Sequence, residues 1–225
     1  MKKQCAAKKE TIFIILGALA FVLLGSTVVM GAGEPAQPAS AQKAAEVKAA
    51  IPATSNMDAL SAIFTRRSIR SYTNQPVADE TVKLLLRAAM AAPSAKNTQS
   101  YEFIVIKDKK TLQQIPIFHP FSKHVPNAQV AIVVCGNTKL QAAPGHWIPD
   151  ASNASMNILL AAHSLGLGAV WTTFYPYEDR TAGIRKLLNL PDHIMPLNVI
   201  PLGYSTEKGN YQDRFKTDKI HYEKW

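Results

Sequence analysis

Three clusters in this sequence have the residue types for chemistry, and all three are better suited to holding a ligand than to attacking a bond. Arg66-Arg67-Ser68-Ile69-Arg70 puts three guanidiniums and a hydroxyl within five residues. Such a group can grip a phosphate through forked, charge-assisted hydrogen bonds. In an extended chain Arg66, Ser68 and Arg70 point the same way. A solvated basic helix end has the same composition, so the cluster alone leaves both readings open. Ala92-Pro93-Ser94-Ala95-Lys96-Asn97-Thr98-Gln99 is a polar loop whose Ser94, Asn97 and Gln99 could read the amide-like edge of a heterocycle, or could simply make a turn. Gly166-Leu167-Gly168-Ala169-Val170-Trp171-Thr172-Thr173 invites comparison with a dinucleotide fingerprint, which needs a third glycine and the order strand, glycines, helix. Here Trp171 takes the sixth place and the order is helix, glycines, strand, so the glycines read as a helix stop and a close approach.

Other chemistries are poorly supplied. No GxSxG occurs, and His163 and Ser164 are helix neighbours whose side chains diverge. The six histidines have no HExxH and no three- or four-residue spacing, so no metal site is expected. Of the two cysteines, Cys5 lies in a charged stretch and Cys135 in the apolar run Val130–Cys135. They are read as unpaired, Cys135 as a small core residue. The net charge of +9 suits anionic ligands or mere solubility. No basic run interleaved with aromatics points to nucleic acid. Near the end, Arg214, Lys216 and Lys219 precede His221-Tyr222-Glu223-Lys224-Trp225, an aromatic tail suited to docking, for example on a partner subunit.

Those clusters need a scaffold, and 225 residues with 47% hydrophobic content can build one domain with an appendage. Lys2, Lys3, Lys8 and Lys9 precede a stretch, Thr11–Gly33, without any charge. Residues 1–33 therefore read as a signal peptide or a membrane anchor that contacts the membrane, with the lysines kept in the cytoplasm. Residues 34–56, rich in Ala, Pro, Gln and Ser, read as a linker. Residues 57–225 form the folded domain, expected to be exported or anchored at the inner membrane outside the cytoplasm.

Within it, Asn56 or Ser55 should cap a helix burying Leu60, Ile63 and Phe64. A second helix is expected over Asp79–Ala92 and a third over Ala151–Leu165, stopped by Gly166, with a fourth over Arg180–Leu188. Strands are expected at Phe103–Ile106, Val130–Cys135, Ala169–Thr173 and Leu197–Leu202. This alternation indicates a layered α/β or α+β domain.

Taken in order, Arg66–Arg70 (RRSIR), Ala92–Gln99 (APSAKNTQ), Asn157–Gly168 (NILLAAHSLGLG) and His221–Trp225 (HYEKW) resemble the nitroreductase family, from about Ala59 to the end. The resemblance implies an α+β fold with a mixed central sheet flanked by helices, and a homodimer with FMN at the subunit interface. It implies an oxidoreductase passing a hydride from NAD(P)H through FMN to nitroaromatic, quinone or similar acceptors by a ping-pong cycle. By position, Arg66 and Ser68, with Arg67 alongside, would hold the FMN phosphate, and Arg214 and Lys216 would close on it. Arg70 would lie at the N1–C2=O edge, where a cation stabilises the reduced flavin. The loop carrying Pro93, Ser94, Asn97 and Gln99 would come from the other subunit, and Trp171, Thr172 and Thr173 would pass the N5 side. Ser100-Tyr101 departs from the Pro-Trp of many relatives. Export would also separate the domain from cytoplasmic NAD(P)H, whereas the family habit is cytoplasmic. A reductive dehalogenase of the same superfamily, or a membrane-associated flavin-binding electron carrier, are the competing readings.

Overall fold

The structure is a computed structural model that describes residues 57–207 and 212–225. The expected leader and linker, residues 1–56, lie outside the described residues. Among the described residues no helix is long and apolar enough to cross a membrane.

The elements run α1 (Ala59–Thr65), α2 (Asp79–Met90), β1 (Tyr101–Ile106), α3 (Lys109–Phe118), β2 (Val130–Asn137), α4 (Trp147–Ser164), β3 (Leu167–Ala169), β4 (Thr172–Thr173), α5 (Glu178–Leu188) and β5 (Ile194–Tyr204). The sheet order is β1-β2-β5-β3, with β4 also paired to β5. All four pairings are antiparallel. The α+β class holds, but the mixed sheet expected from the resemblance is antiparallel among the described residues. The physical reason lies in β2 and β5: each runs opposite to every strand it hydrogen-bonds, so no parallel pair forms within the chain.

Every residue of β2 is buried. A strand alternates its side chains between two faces, so such a run requires cover on both. Val130, Ile132 and Val134 face one core with Val82, Leu85 and Ala89 of α2 and Ala151, Ala154 and Ile158 of α4. Ala131, Val133 and Cys135 face a second core with Leu112 and Ile115 of α3, Ile184 of α5 and Phe174. The result is helix, sheet, helix. Burial pushes the Cys135 thiol up to about 12, so it is an inert core residue.

Several boundaries move. Asp58, not Asn56 or Ser55, caps α1, accepting from the Ser61 N–H at 3.0 Å. Only Ala62 of this helix is buried, and Leu60, Ile63 and Phe64 are exposed in the single chain. Helix α3 was not anticipated. Pro116 inside it argues against a helix, but it falls in the last turn, and Asp108 starts the helix by accepting from Thr111 N–H at 2.8 Å. The expected strand Ala169–Thr173 is split: Leu167–Ala169 and Thr172–Thr173 lie along the same partner, β5, on either side of a break at Val170-Trp171.

Candidate cofactor site

Helix α1 stops where Arg66 leaves helical geometry (φ −54°, ψ 138°). The Arg67 guanidinium folds back, its Nη1 donating to the carbonyls of Phe64 (3.1 Å) and Arg66 (2.7 Å). The chain then extends. Ile69 is buried, its N–H donates to Ala169 O at 3.0 Å, and its side chain covers Gly168. A Cβ on Gly168 would lie 2.5 Å from Ile69 Cγ2, which gives the expected close approach its reason. Gly166, at φ +74°, provides the helix stop. With Ile69 pinned inward, Ser68 and Arg70 are exposed on the outer side.

Arg66 is half-buried. Burial first, then the charges of Arg214 and Arg67, depress its pKa. Two further guanidiniums, Arg67 and Arg214, thus act on Arg66 at the end of α1. Neither Arg66 nor Arg214 forms an ion pair among the described residues. Nearby, the Thr65 hydroxyl donates to Ser61 O at 2.5 Å, so at 2.8 Å it must accept from Nε2–H of His163. Burial, then Arg66 and Arg67, keep His163 neutral by lowering its pKa.

Continuing from this cluster, Arg70 lines a cavity of about 290 Å³ together with Trp171, Thr172 and Thr173. The Trp171 indole N–H donates to the Thr173 hydroxyl at 2.8 Å, and Thr172 is buried. His119 and His124 complete the inner part. His119 Nε2–H donates to Thr173 O at 2.8 Å, and His124 Nε2 lies 3.1 Å from the Thr172 hydroxyl. Burial, with Arg70 and His119 adding repulsion, pushes His124 down to about 4. Burial likewise lowers His119.

The loop after α2 is built differently. Lys96, Asn97 and Gln99 all have positive φ, between 51° and 55°. Asn tolerates this region, whereas Lys and Gln pay a steric cost. Asp150, buried in the first turn of α4, holds the loop by accepting from Ala95 N–H at 2.9 Å and from the Ser100 hydroxyl at 2.7 Å. The Ser94 hydroxyl accepts from Gln99 N–H at 2.8 Å. Lys96, Asn97 and Gln99 are thereby left exposed at the tip.

A profile of the Nitroreductase family matches residues 63–117 and 119–204. The chain belongs to the nitroreductase family. It is 52% identical over 171 residues to a Methanothermobacter thermautotrophicus protein provisionally named NADH dehydrogenase/NAD(P)H nitroreductase, a match covering 76% of this chain and 90% of that one. An FMN-dependent nitroreductase from Clostridium difficile R20291 is 30% identical, with a TM-score of 0.69 over 74% of this chain and 99% of its own. A Desulfovibrio desulfuricans protein, provisionally named a nitroreductase and solved in complex with FMN, is also 30% identical, with a TM-score of 0.66 over 76% and 99% of the two chains.

In this member of the nitroreductase family the expected site residues fall into two places. Arg66, Arg67 and Arg214 share one electrostatic neighbourhood with Ser68 beside them, and Arg70 joins Trp171, Thr172 and Thr173 at the cavity. Pro93, Ser94, Asn97 and Gln99 belong to the other end of α4. Asp150 marks that end and His163 the Arg66 end, and thirteen residues of helix separate them, roughly 20 Å. Lys216 is exposed and its carbonyl closes the turn Thr217–Lys219, accepting from Lys219 N–H at 3.3 Å.

Sequence reasoning missed His119, Phe121, His124, Tyr177 and Arg180, all of which line the cavity. They come from the loop after α3 and from the start of α5 after β4, and no periodicity or spacing joins residues 119–124 to residues 177–180. The only signal was the clustering of aromatics and cations in Phe118–His124 and Tyr175–Arg180.

Proposed function

We propose that this chain is an FMN-dependent oxidoreductase that moves reducing equivalents from a reduced nicotinamide to nitroaromatic, quinone or similar acceptors. The carrying observation is the guanidinium neighbourhood of Arg66, Arg67 and Arg214, with Arg70, four residues after Arg66, at the cavity. Cations gathered at the end of a helix fit a dianionic phosphate, and a phosphate would offset the burial and, after it, the repulsion that lower Arg66.

Bound FMN would supply two-electron hydride chemistry between NAD(P)H and the acceptor, in a ping-pong cycle. The chain's own residues hold and tune it. Arg66, Ser68 and Arg214 bind the phosphate, with Lys216 approaching from the tail, and Arg67 orders the helix end that presents them. Arg70 places a fixed cation where negative charge develops on reduction. Trp171, Thr172 and Thr173, at and after the strand break, would offer backbone and hydroxyl groups to the ring. No side chain has to exchange a proton with the flavin, and burial holds His119 and His124 neutral at pH 7.

Pro93, Ser94, Asn97 and Gln99 would have to serve a second copy of the chain, since roughly 20 Å of α4 separates their loop from the Arg66 end. A homodimer would bring the two halves together. It would also cover Leu60, Ile63, Phe64 and Trp225, which one chain leaves exposed.

The test is the visible spectrum of the purified chain. One FMN per chain is expected, bleached anaerobically by NADH or NADPH and restored by a nitroaromatic or a quinone. A protein that takes up no added FMN overturns the reading, and one that holds FMN but never oxidises nicotinamide is an electron carrier instead. Export, resting on Lys2, Lys3, Lys8, Lys9 and the uncharged Thr11–Gly33, is part of the proposal. Residues 1–56 fused to a reporter active only outside the cytoplasm should give activity, and soluble cytoplasmic fusion without activity overturns it.

A further inference from the structure

The cavity contains a second cation that the flavin reading does not use. Arg180, in the first turn of α5, lies with its guanidinium carbon 3.7 Å from the Tyr177 ring centroid and 5.5 Å from that of Phe121. Its one hydrogen bond is long, from Nη1 to Thr173 O at 3.4 Å, on a carbonyl that His119 already occupies at 2.8 Å. Its Nε is buried with no hydrogen-bond partner. Arg180 forms no ion pair among the described residues. Its sequence neighbours Glu178 and Asp179 are exposed. No carboxylate lines the cavity, and its two histidines are held neutral, so its formal charge comes from Arg70 and Arg180 alone.

Arg180 is only partly buried and its one hydrogen bond is long, so the outer guanidinium nitrogens keep donor capacity for a ligand, while the buried Nε lies out of reach. Aromatic faces beside a guanidinium orient it, and they offer a planar ligand a stacking surface. Phe121 and Tyr177 are 73% and 49% exposed, so that surface faces incoming molecules.

We propose that Arg180 selects the acceptor, favouring aromatic acceptors that carry a carboxylate, with Phe121 and Tyr177 stacking the ring. This rests on the oxidoreductase reading above and deepens it by naming the acceptor class. The carboxylate takes a charge-assisted pair of hydrogen bonds from Arg180, which leaves Arg70 to the flavin edge. Lysine in its place would keep the charge and lose the fork and the ring stacking.

The test compares 4-nitrobenzoate with the uncharged 4-nitrobenzyl alcohol on the FMN-loaded protein. The readouts are kcat/KM with NADH as donor and, without donor, dissociation constants from perturbation of the flavin absorbance. The wild type should favour the carboxylate in both. Arg180→Gln should lower the carboxylate-to-alcohol ratio about ten- to a hundredfold, and Arg180→Lys should restore part of it. Equal binding of the two compounds by the wild type overturns the proposal. So does an unchanged ratio in Arg180→Gln, or, in a parallel series with NADPH as donor, a loss confined to the KM for NADPH, which would assign Arg180 to the donor's phosphate. If Arg180→Gln does not fold, the wild-type titrations and Arg180→Lys decide. A protein that holds FMN but oxidises no nicotinamide with either compound or with a quinone defeats the oxidoreductase reading, while the donor-free titrations still decide the selection of carboxylates.

Discussion

The Asp150 carboxylate accepts a 2.7 Å hydrogen bond from the Ser100 hydroxyl, fully within the protein, and so ties the start of β1 to the start of α4. Its other oxygen accepts from Ala95 N–H, and the helix N-terminus favours its negative charge. This one side chain holds a loop with three non-glycine residues at positive φ.

Asp150→Ala should therefore cost about 2–4 kcal/mol in urea unfolding, because two donors lose a charged acceptor. It should also weaken FMN binding, through the loop that presents Asn97 and Gln99. A stability change below about 0.5 kcal/mol would show that the loop keeps its shape without the carboxylate.

Arg66→Ala and Ser68→Ala should each weaken FMN binding about ten- to a hundredfold, the equivalent of roughly 1.5–3 kcal/mol for a charge-assisted contact to phosphate. The FMN-free fold should change by less than about 1 kcal/mol, since Ser68 is exposed and Arg66 sits among like charges. Unchanged affinity in both variants would remove this cluster from the phosphate site.

Stability should fall on acidification between about pH 6.5 and pH 4. In that window the unfolded chain protonates His124 while the fold, which pushes it down to about 4, does not. The contribution is complete above the unfolded value and is lost as pH drops towards the folded one. His119 shifts in the same direction. Thermal melts across this range should show the slope, and His124→Gln should flatten it. An identical slope in the variant would mean that other groups govern acid stability.

Sedimentation should show a dimer, and Phe64→Asp should shift it towards monomer with loss of FMN. Phe64 is 57% exposed in the single chain, so a chain that works alone would tolerate the change within about 0.5 kcal/mol. A monomeric wild type with FMN bound would refute the shared site.

What the sequence determined by itself was whatever local rules fix. The continuous apolar run of β2 requires cover on both faces, and the structure supplies two separate cores. Gly166 stops α4, and Gly168 admits Ile69. That Ser68 and Arg70 share a side follows from the period of two of an extended chain, but that the chain is extended here, with Ile69 buried, was decided by the tertiary contact with Ala169. Tertiary structure decided the rest. Asp58 outcompeted the expected caps because its carboxylate lies three residues before Ser61, within reach of its N–H. The face of Leu60, Ile63 and Phe64 has helical period, but period cannot say whether its cover is the same chain or another. The cavity was least legible, since Arg70, His124 and Arg180 meet only after the loops following α3 and β4 reach the end of the sheet where Arg70 lies. No local rule links residues separated by fifty or more positions, and the burial that neutralises His119 and His124 exists only once those loops have closed.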